Sequence, residues 1–326
     1  MKVCIYGAGA VGTCLAGRLA KAGSDVSMVA RGASLTAIRQ NGVRVRTPLQ
    51  EIAARVRAGD DPAALGPQDV LLVTVKSPAL PSIAYGLGRL LGPDTVVGFV
   101  MNGIPWWYFL AHGGAFEGRP LPRIDPGDRI RDAVPVERVL GGVFYGGCDV
   151  EAPGVVHVES RQTRLTLGRP DGAASPAAEA LAAALTDADF KVEVVPDIRR
   201  IIWAKLQVNL CSGLFGALAG AAPKDMFGDP ACAAAVRRLV DEVRATASAM
   251  GWPTTLTADA LLDATRNQVH KSSIVQDLEA GRPMELDATF AAPQEIARMA
   301  GVPTPTLDLL LALVRIRARG TGAWPG

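Results

Sequence analysis

Short apolar runs alternate with stretches of helical periodicity in the first third of the chain. Lys2–Tyr6 is a strand-like run that ends in glycines, and residues 11–22 follow with helical spacing, closed by Gly23 at the position of a helix C-terminal cap. Three later runs are apolar enough to be strands buried on both faces: 25–30, 70–75 and 95–101. This alternation predicts an α/β fold with a doubly wound parallel sheet.

The pattern changes in the second half of the chain. β-type runs cover 139–149, 155–159, 163–168 and 191–195, and we expect them to complete the first domain. After Pro196 the chain becomes rich in Ala and Leu with helical spacing, over 198–220, 230–250, 257–279, 284–300 and 305–319. The sequence therefore predicts a Rossmann-type domain over 1–196 and an all-helical domain over 197–326.

A glycine-rich loop joins the first strand to the first helix, and it reads Gly7-Ala8-Gly9-Ala10-Val11-Gly12. Its GxGxxG spacing, placed between a strand and a helix and followed by a second strand, is typical of a dinucleotide site. The first glycine would allow the tight turn, the second would admit the pyrophosphate, and the third would let the helix approach the strand. The alternative is a glycine-rich turn that binds nothing.

The second strand ends in Val29-Ala30-Arg31, without the acidic residue that holds the ribose 2′-hydroxyl of NAD. The guanidinium of Arg31 could pair with a 2′-phosphate, which favours NADP. The alternative is an ordinary solvated arginine.

Lys76 and Asn102-Gly103 each follow an apolar run, so they are expected at the carboxyl ends of strands, where open α/β sheets bind ligands. A solvated lysine and a simple Asn-Gly turn are the alternatives.

Composition narrows the class of protein. The chain has 326 residues, 49% of them hydrophobic, which is enough for two domains, and its formal charge of +2 favours neither nucleic acid nor a membrane surface as a partner. The five cysteines are scattered without a CxxC or Cys/His cluster, so we expect reduced thiols and no metal site. The chain opens without a signal-peptide pattern, and the apolar stretch 210–222 is too short to span a bilayer, so a cytoplasmic protein is expected.

Lys205 and Asn209 lie four residues apart in a mostly apolar helical stretch, and therefore on one helix face. A partly desolvated lysine has a lowered pKa and can donate a proton to a developing alkoxide. A lysine whose stem lies along apolar surface is the alternative.

Further polar motifs follow in order: Ser272-Ser273, Gln276-Asp277, Glu285-Leu286-Asp287 and Gly301-Val302-Pro303-Thr304-Pro305. Together with the glycine loop, Arg31 and Lys205, the chain resembles the ketopantoate reductase family over nearly its whole length. The resemblance implies reduction of a branched 2-keto acid by NADPH, in which Lys205 acts as general acid.

The same resemblance implies roles for individual residues. The cofactor would contact the glycine loop, Arg31, Lys76 and Asn102. The catalytic side would hold Lys205 with Asn209, Ser273 would bind substrate, and Glu285 would hold Lys205 or a substrate hydroxyl in place.

Two positions depart from the family pattern. Asparagine is common in the family where this chain has His270, and an Asn-Gly pair where it has Phe290-Ala291. His270 could bind the substrate carboxylate or be a structural histidine. The aromatic cluster that begins Trp106-Trp107 could cap the nicotinamide or pack a core, and packing is favoured.

These departures leave three functions open: a reductase of ketopantoate, a reductase of a different and more apolar 2-oxo acid, and a non-catalytic NADP-binding regulator. The long apolar helices could also supply a homodimer interface.

Overall fold

The computed structural model describes residues 1–187 and 189–323. The chain forms two compact units, Met1–Ile198 and Arg199–Gly326.

The first unit combines strands and helices. Its strands are β1 (Lys2–Tyr6), β2 (Asp25–Val29), β3 (Val43–Arg46), β4 (Glu51–Ala54), β5 (Arg57–Gly59), β6 (Gln68–Val73), β7 (Leu91–Val100), β8 (Val139–Tyr145), β9 (Cys148–Ala152), β10 (Val155–Val158), β11 (Thr163–Gly168) and β12 (Phe190–Val194). Its helices are α1 (Ala10–Lys21), α2 (Gly32–Asn41), α3 (Leu80–Gly88), α4 (Arg129–Ala133) and α5 (Pro176–Leu185).

The main sheet has the strand order β12-β11-β8-β7-β6-β1-β2-β5. Along the order β8-β7-β6-β1-β2-β5, every adjacent pair of strands is parallel, which confirms the predicted α/β fold with a mostly parallel sheet. β11 runs antiparallel to β8, and β12 runs parallel to β11, so this edge of the sheet is reversed. Because β1 lies between β2 and β6, the loop that follows it lies at the carboxyl end of an interior strand.

The predicted strand over 139–149 was wrong, because the chain leaves the main sheet after Tyr145. Gly146 has φ +155° and ends β8, and β9 then joins a second sheet of order β4-β3-β10-β9. In this sheet β3 and β10 are parallel and the other pairs are antiparallel. The alternating Val43-Arg44-Val45-Arg46 run buries its two valines and turns its arginines outward, although the sequence analysis assigned no strand there.

Helix α1 packs closely against the second sheet as well as the main one. A Cβ on Gly17 would come within 2.7 Å of Val45 Cγ2, so only glycine allows this separation. Farther along α1, Arg18 Nη1 donates to Asp189 Oδ1 at 2.9 Å, with both side chains almost fully buried. The guanidinium also lies 4.6 Å from the ring centroid of Phe190. These contacts fix the helix that follows the glycine loop.

Within residues 199–323 the second unit has helices and no strand, as predicted. The helices are α6 (Ile198–Ala219), α7 (Pro223–Met226), α8 (Pro230–Ala249), α9 (Ala258–Thr265), α10 (Ser273–Glu279), α11 (Ala292–Met299) and α12 (Pro305–Gly320). α6 begins at the last residue of the first unit. A π-helical segment, Asp287–Ala291, leads directly into α11.

The single helix predicted over 257–279 was wrong, because the chain breaks between α9 and α10. The backbone carbonyl of Gln268 accepts a hydrogen bond from the Lys224 amide, and Val269 is 70% exposed, so the apolar periodicity stops here. The helix predicted over 284–300 begins later than expected, leaving Glu285 in the preceding loop.

α6 has 22 residues and is apolar enough to cross a membrane by length and composition. The helix itself was predicted over 198–220, and only the apolar stretch 210–222 was considered as a membrane span and found too short. However, 67% of its most apolar window is buried inside the protein, as in the core helix of a globular domain.

The five cysteines are free thiols. Burial raises the pKa of Cys4 to about 11, and burial also raises the pKa of Cys211. These two side chains therefore remain protonated, which makes them poor nucleophiles.

Candidate active site

The glycine loop turns sharply between β1 and α1. Gly7 has φ +116°, a conformation that side chains disfavour, and its amide donates to Val29 O at 3.0 Å. The Thr74 hydroxyl, just beyond β6, donates to Gly7 O at 3.0 Å. The turn is therefore held by both strands that flank β1.

The other two glycines of the loop have contrasting surroundings. A Cβ on Gly12 would lie 2.1 Å from Gly7 O and 2.4 Å from Thr74 Oγ1, so the first turn of α1 packs against the loop as closely as glycine permits. A Cβ on Gly9 would meet nothing within 4 Å, because that position faces open space. α1 begins with no acidic residue in its first turn, and its positive end therefore remains suited to an anion. This geometry fits the pyrophosphate of a dinucleotide.

Arg31 lies just beyond β2 at the N-terminus of α2, with an exposed side chain. Burial raises the pKa of the Tyr6 hydroxyl, whereas the Arg31 guanidinium, which hydrogen-bonds that hydroxyl, acts to lower it. This hydrogen bond ties the arginine to Tyr6, the last residue of β1, and the exposed guanidinium could pair with a phosphate at the ribose.

Lys76 and Asn102 lie beyond the carboxyl ends of β6 and β7. Lys76 is exposed and precedes a 3-10 turn, and Asn102 is half-buried. In the strand register, Tyr6 pairs with both Val29 and Val73. Four adjacent parallel strands therefore end side by side, in the order β7-β6-β1-β2. Their carboxyl ends carry the four predicted cofactor elements: Asn102, Lys76, the glycine loop and Arg31.

The aromatic cluster after Asn102 belongs to the core. Trp106 is 4% exposed and lies edge-on to Phe99 with ring centroids 5.4 Å apart. A Cβ on Gly141 would come within 2.5 Å of the Trp107 ring, so this glycine makes room for the indole. The cluster therefore packs against the end of the sheet. Of the two alternatives, capping the nicotinamide and packing a core, the second was favoured from the sequence.

Lys205 and Asn209 lie on α6, as predicted, and both are half-buried. They are flanked by the fully buried side chains of Leu206 and Leu210. At about 100° per residue, Gly213 and Gly216 fall within about 80° of Lys205 around the helix axis. One face of α6 thus carries a lysine, an amide and two glycines.

The segments that carry Ser273 and Glu285 pack against this face of α6. Ser273 is exposed at the first position of α10, and the next residue, Ile274, lies 3.8 Å from where a Gly213 Cβ would be. Glu285 is 8% exposed and directly precedes the helix that contains the π-helical segment. The half-buried His270 precedes α10, and its Nε2 lies 3.3 Å from Gln276 Nε2.

Thr74, Gly213 and the π-helical segment were not predicted from the sequence. The two glycines three residues apart in α6 were a readable signal, because glycine inside a helix often marks a close contact. The π-helical segment left no comparable signal.

The chain matches two protein-family profiles. Residues 3–172 match "Ketopantoate reductase PanE/ApbA", and residues 197–318 match the C-terminal domain of the same family.

Individual proteins extend this similarity over the whole chain. A curated 2-dehydropantoate 2-reductase of Mesorhizobium japonicum is 40% identical, with 99% of this chain and 100% of the relative covered. A crystal structure from Ralstonia solanacearum MolK2, provisionally named a ketopantoate reductase, is 40% identical with a TM-score of 0.91, and 98% of each chain is covered.

A more distant structure is D-mandelate dehydrogenase, solved with NADH and anilino(oxo)acetate. It is 20% identical with a TM-score of 0.82, covering 98% of this chain and 99% of the other, and at that identity it shows the shared fold.

Proposed function

The chain belongs to the ketopantoate reductase family, and from that premise we propose that it reduces a 2-oxo acid to the 2-hydroxy acid with NADPH. Ketopantoate (2-dehydropantoate) is the substrate proposed first, after the name of the curated relative, with pantoate as product and a place in pantothenate biosynthesis. The observation that carries this proposal is the half-buried Lys205 on the polar face of α6 in a chain of this family.

The proposed cofactor domain is residues 1–196. The glycine loop would hold the pyrophosphate, because Gly9 leaves space for it and the start of α1 favours an anion. Arg31 would pair with the 2′-phosphate, and Lys76 and Asn102 would contact the cofactor from the neighbouring strand ends. The preference for NADPH over NADH rests on Arg31.

The proposed substrate domain is residues 197–326, with Lys205 as the proton donor. When bound, the reduced nicotinamide supplies a hydride to the ketone carbon. Lys205 Nζ would donate its proton to the carbonyl oxygen as negative charge develops there, so that the ketone becomes a secondary alcohol. Lys205 is half-buried beside the fully buried Leu206, and this partial desolvation strengthens the charge interaction.

The remaining polar residues would orient the reaction. Asn209, one turn beyond Lys205, would hydrogen-bond the substrate, and Ser273 would bind its carboxylate or carbonyl. Glu285, buried at the edge of the π-helical segment, would hold Lys205 or a substrate hydroxyl. His270 would contact the substrate from the residues that precede α10.

A different, more apolar 2-oxo acid is the second candidate substrate. It is favoured by His270, which stands where asparagine is common in the family. The imidazole ring lies near the side-chain amide of Gln276, so this part of the site has a different hydrogen-bonding pattern.

The test is an NADPH-oxidation assay with a panel of 2-oxo acids that includes ketopantoate. Lys205→Ala should lower kcat by about 100- to 10,000-fold, the usual contribution of a general acid. Lys224→Ala is the matched control, because Lys224 is an exposed lysine of the same unit. An active wild type whose turnover survives Lys205→Ala would contradict the mechanism, and tight NADPH binding without turnover would favour the regulator.

The proposed partner is a second copy of the chain, bound through the helical domain. Leu309, Leu313 and Ile316 recur on one face of α12 and are 61%, 43% and 66% exposed, a row of apolar side chains that we name the α12 stripe. We place the enzyme in the cytoplasm, where its free thiols would remain reduced.

A further inference from the structure

Within the second unit, the π-helical segment meets the polar face of α6 one turn beyond Asn209. The contact is between Gly213 and the ring of Phe290, which is fully buried. A Cβ on Gly213 would come within 2.6 Å of Phe290 Cζ and 3.2 Å of Cε1. Real Cβ atoms do not approach so closely, and the ring therefore occupies the space that a side chain at 213 would need.

The backbone that carries Phe290 is unusual. Phe290 lies within the π-helical segment Asp287–Ala291, and such segments insert one extra residue into a helix and often occur at functional sites. The Thr289 amide still bonds Glu285 O at 3.3 Å, so the first part of the segment is tied directly to Glu285. A shift of the backbone that carries Phe290 would therefore also shift the backbone of Glu285.

We infer that Phe290 is a positioning residue, and the inference rests on the proposed function. Its ring, seated on Gly213, sets the separation between α6, which carries Lys205 and Asn209, and the segment that carries Glu285. Since the ring has no exposed surface, it acts through packing and not by lining an open substrate pocket. The effect reaches Lys205 because α6 is a continuous helix and Lys205 lies two turns, about 12 Å, from Gly213.

Gly213→Ala tests this inference directly. The added methyl must displace the Phe290 ring or its backbone, and a displacement near 1 Å at the reacting groups costs up to about 100-fold in rate. We expect kcat for the oxo acid to fall by about 10- to 100-fold. The KM for NADPH should stay within about 3-fold of wild type, because the proposed cofactor loop is in the first unit.

Phe290→Leu supplies the decisive second measurement, because leucine lacks the Cζ atom that a Gly213 Cβ would meet. Alone it should lower kcat, since it leaves a cavity beside α6. In the Gly213→Ala background it should instead raise kcat at least about 5-fold. If the two substitutions only lowered stability, their effects would add, and Phe290→Leu would lower kcat in both backgrounds.

Gly216→Ala is the matched control. Its Cβ would be equally crowded, at 2.7 Å from Val275 Cγ2 on α10, but the crowding does not involve Phe290. Phe290→Leu should therefore fail to rescue it. Phe290→Tyr extends the ring at Cζ toward Gly213 and should reproduce the kcat loss, which keeps the test decisive if Gly213→Ala does not fold.

The outcomes separate this inference from the function on which it rests. A wild-type chain that reduces no 2-oxo acid overturns both. An active wild type overturns the positioning role alone if Gly213→Ala and Phe290→Tyr keep kcat, or if Phe290→Leu rescues Gly216→Ala as well as Gly213→Ala.

Discussion

At the scale of single residues, two glycines of the same loop differ in how much space surrounds them. Gly12 is enclosed by Gly7 O and Thr74 Oγ1, whereas Gly9 faces open space. The same added methyl group should therefore damage the fold at one position and cofactor binding at the other.

We predict that Gly9→Ala folds with a wild-type melting temperature but binds NADPH at least about 10-fold more weakly, because the methyl occupies space proposed for the pyrophosphate. Gly12→Ala should lower the melting temperature by several degrees, because its Cβ meets backbone. Thermal denaturation and a fluorescence titration with NADPH measure the two effects. Equal NADPH affinity in Gly9→Ala and wild type would contradict the proposed loop.

Arg31 is the residue on which the proposed NADPH preference depends. We predict that Arg31→Ser raises the KM for NADPH by about 10- to 100-fold, since a hydrogen bond to a charged group contributes about 1.5–3 kcal/mol. The KM for NADH should change little, because NADH lacks the 2′-phosphate. Arg39→Ser, at the other end of α2, is the control and should leave both values unchanged. A similar rise in KM for both NADPH and NADH would contradict a contact between Arg31 and the 2′-phosphate.

At the scale of elements, a buried ion pair joins α1 to the segment just before β12. Arg18 on α1 and Asp189 just before β12 are 171 residues apart in sequence, and their side chains are nearly inaccessible to water. Gln50 Nε2 also donates to Asp189 Oδ1 at 3.1 Å. The loop that α1 carries therefore depends on a long-range polar contact.

We predict that Asp189→Ala lowers the free energy of unfolding by about 3–5 kcal/mol, because Arg18 is left buried without its partner. Asp187→Ala is the control, since its ion pair with Lys21 is at the surface and such pairs contribute about 1 kcal/mol or less. Urea denaturation at pH 7 measures both. Similar losses in the two variants would show that the buried pair is not the anchor.

The same pair predicts a pH dependence of stability. Burial acts to raise the pKa of Asp189, but the hydrogen bond and charge of Arg18, with further bonds from Thr47 and Gln50, hold it below its ordinary value. A lowered folded-state pKa stabilises the protein above the unfolded value of about 3.9 and loses that stabilisation as the pH falls. The stability difference between wild type and Asp189→Ala should therefore narrow below about pH 4. A difference that is constant from pH 7 to pH 3 would contradict this.

At the scale of the whole molecule, the α12 stripe is an exposed apolar surface on the helical unit. We predict that Ile316→Lys converts a dimer to a monomer, because a charge placed in an apolar interface is desolvated without a partner. Val269→Lys, also at an exposed apolar residue of the second unit, is the control and should keep the dimer. Light scattering after size-exclusion chromatography gives the mass. A monomeric wild type would contradict the proposed assembly, and a dimeric Ile316→Lys would place its interface elsewhere.

The sequence by itself determined the features that depend on local pattern. Strand and helix periodicity predicted the α/β first half and the helical second half, and glycine spacing predicted the loop after β1. Helical spacing also placed Lys205 and Asn209 on one face, and the order of motifs indicated the family. The order of motifs spans nearly the whole chain, but each of the other features depends on residues within a few turns or strands of one another. At that range backbone geometry alone fixes which side chains share a face.

Only the tertiary structure decided the contacts between distant segments. The second sheet, the departure of the chain at Gly146, the Arg18–Asp189 pair and the seating of Phe290 on Gly213 join residues far apart in sequence. Close packing selects such contacts by shape and burial, and these properties do not repeat with a helix or strand period. The candidate residues were thus readable from the sequence, whereas the packing that holds them was not.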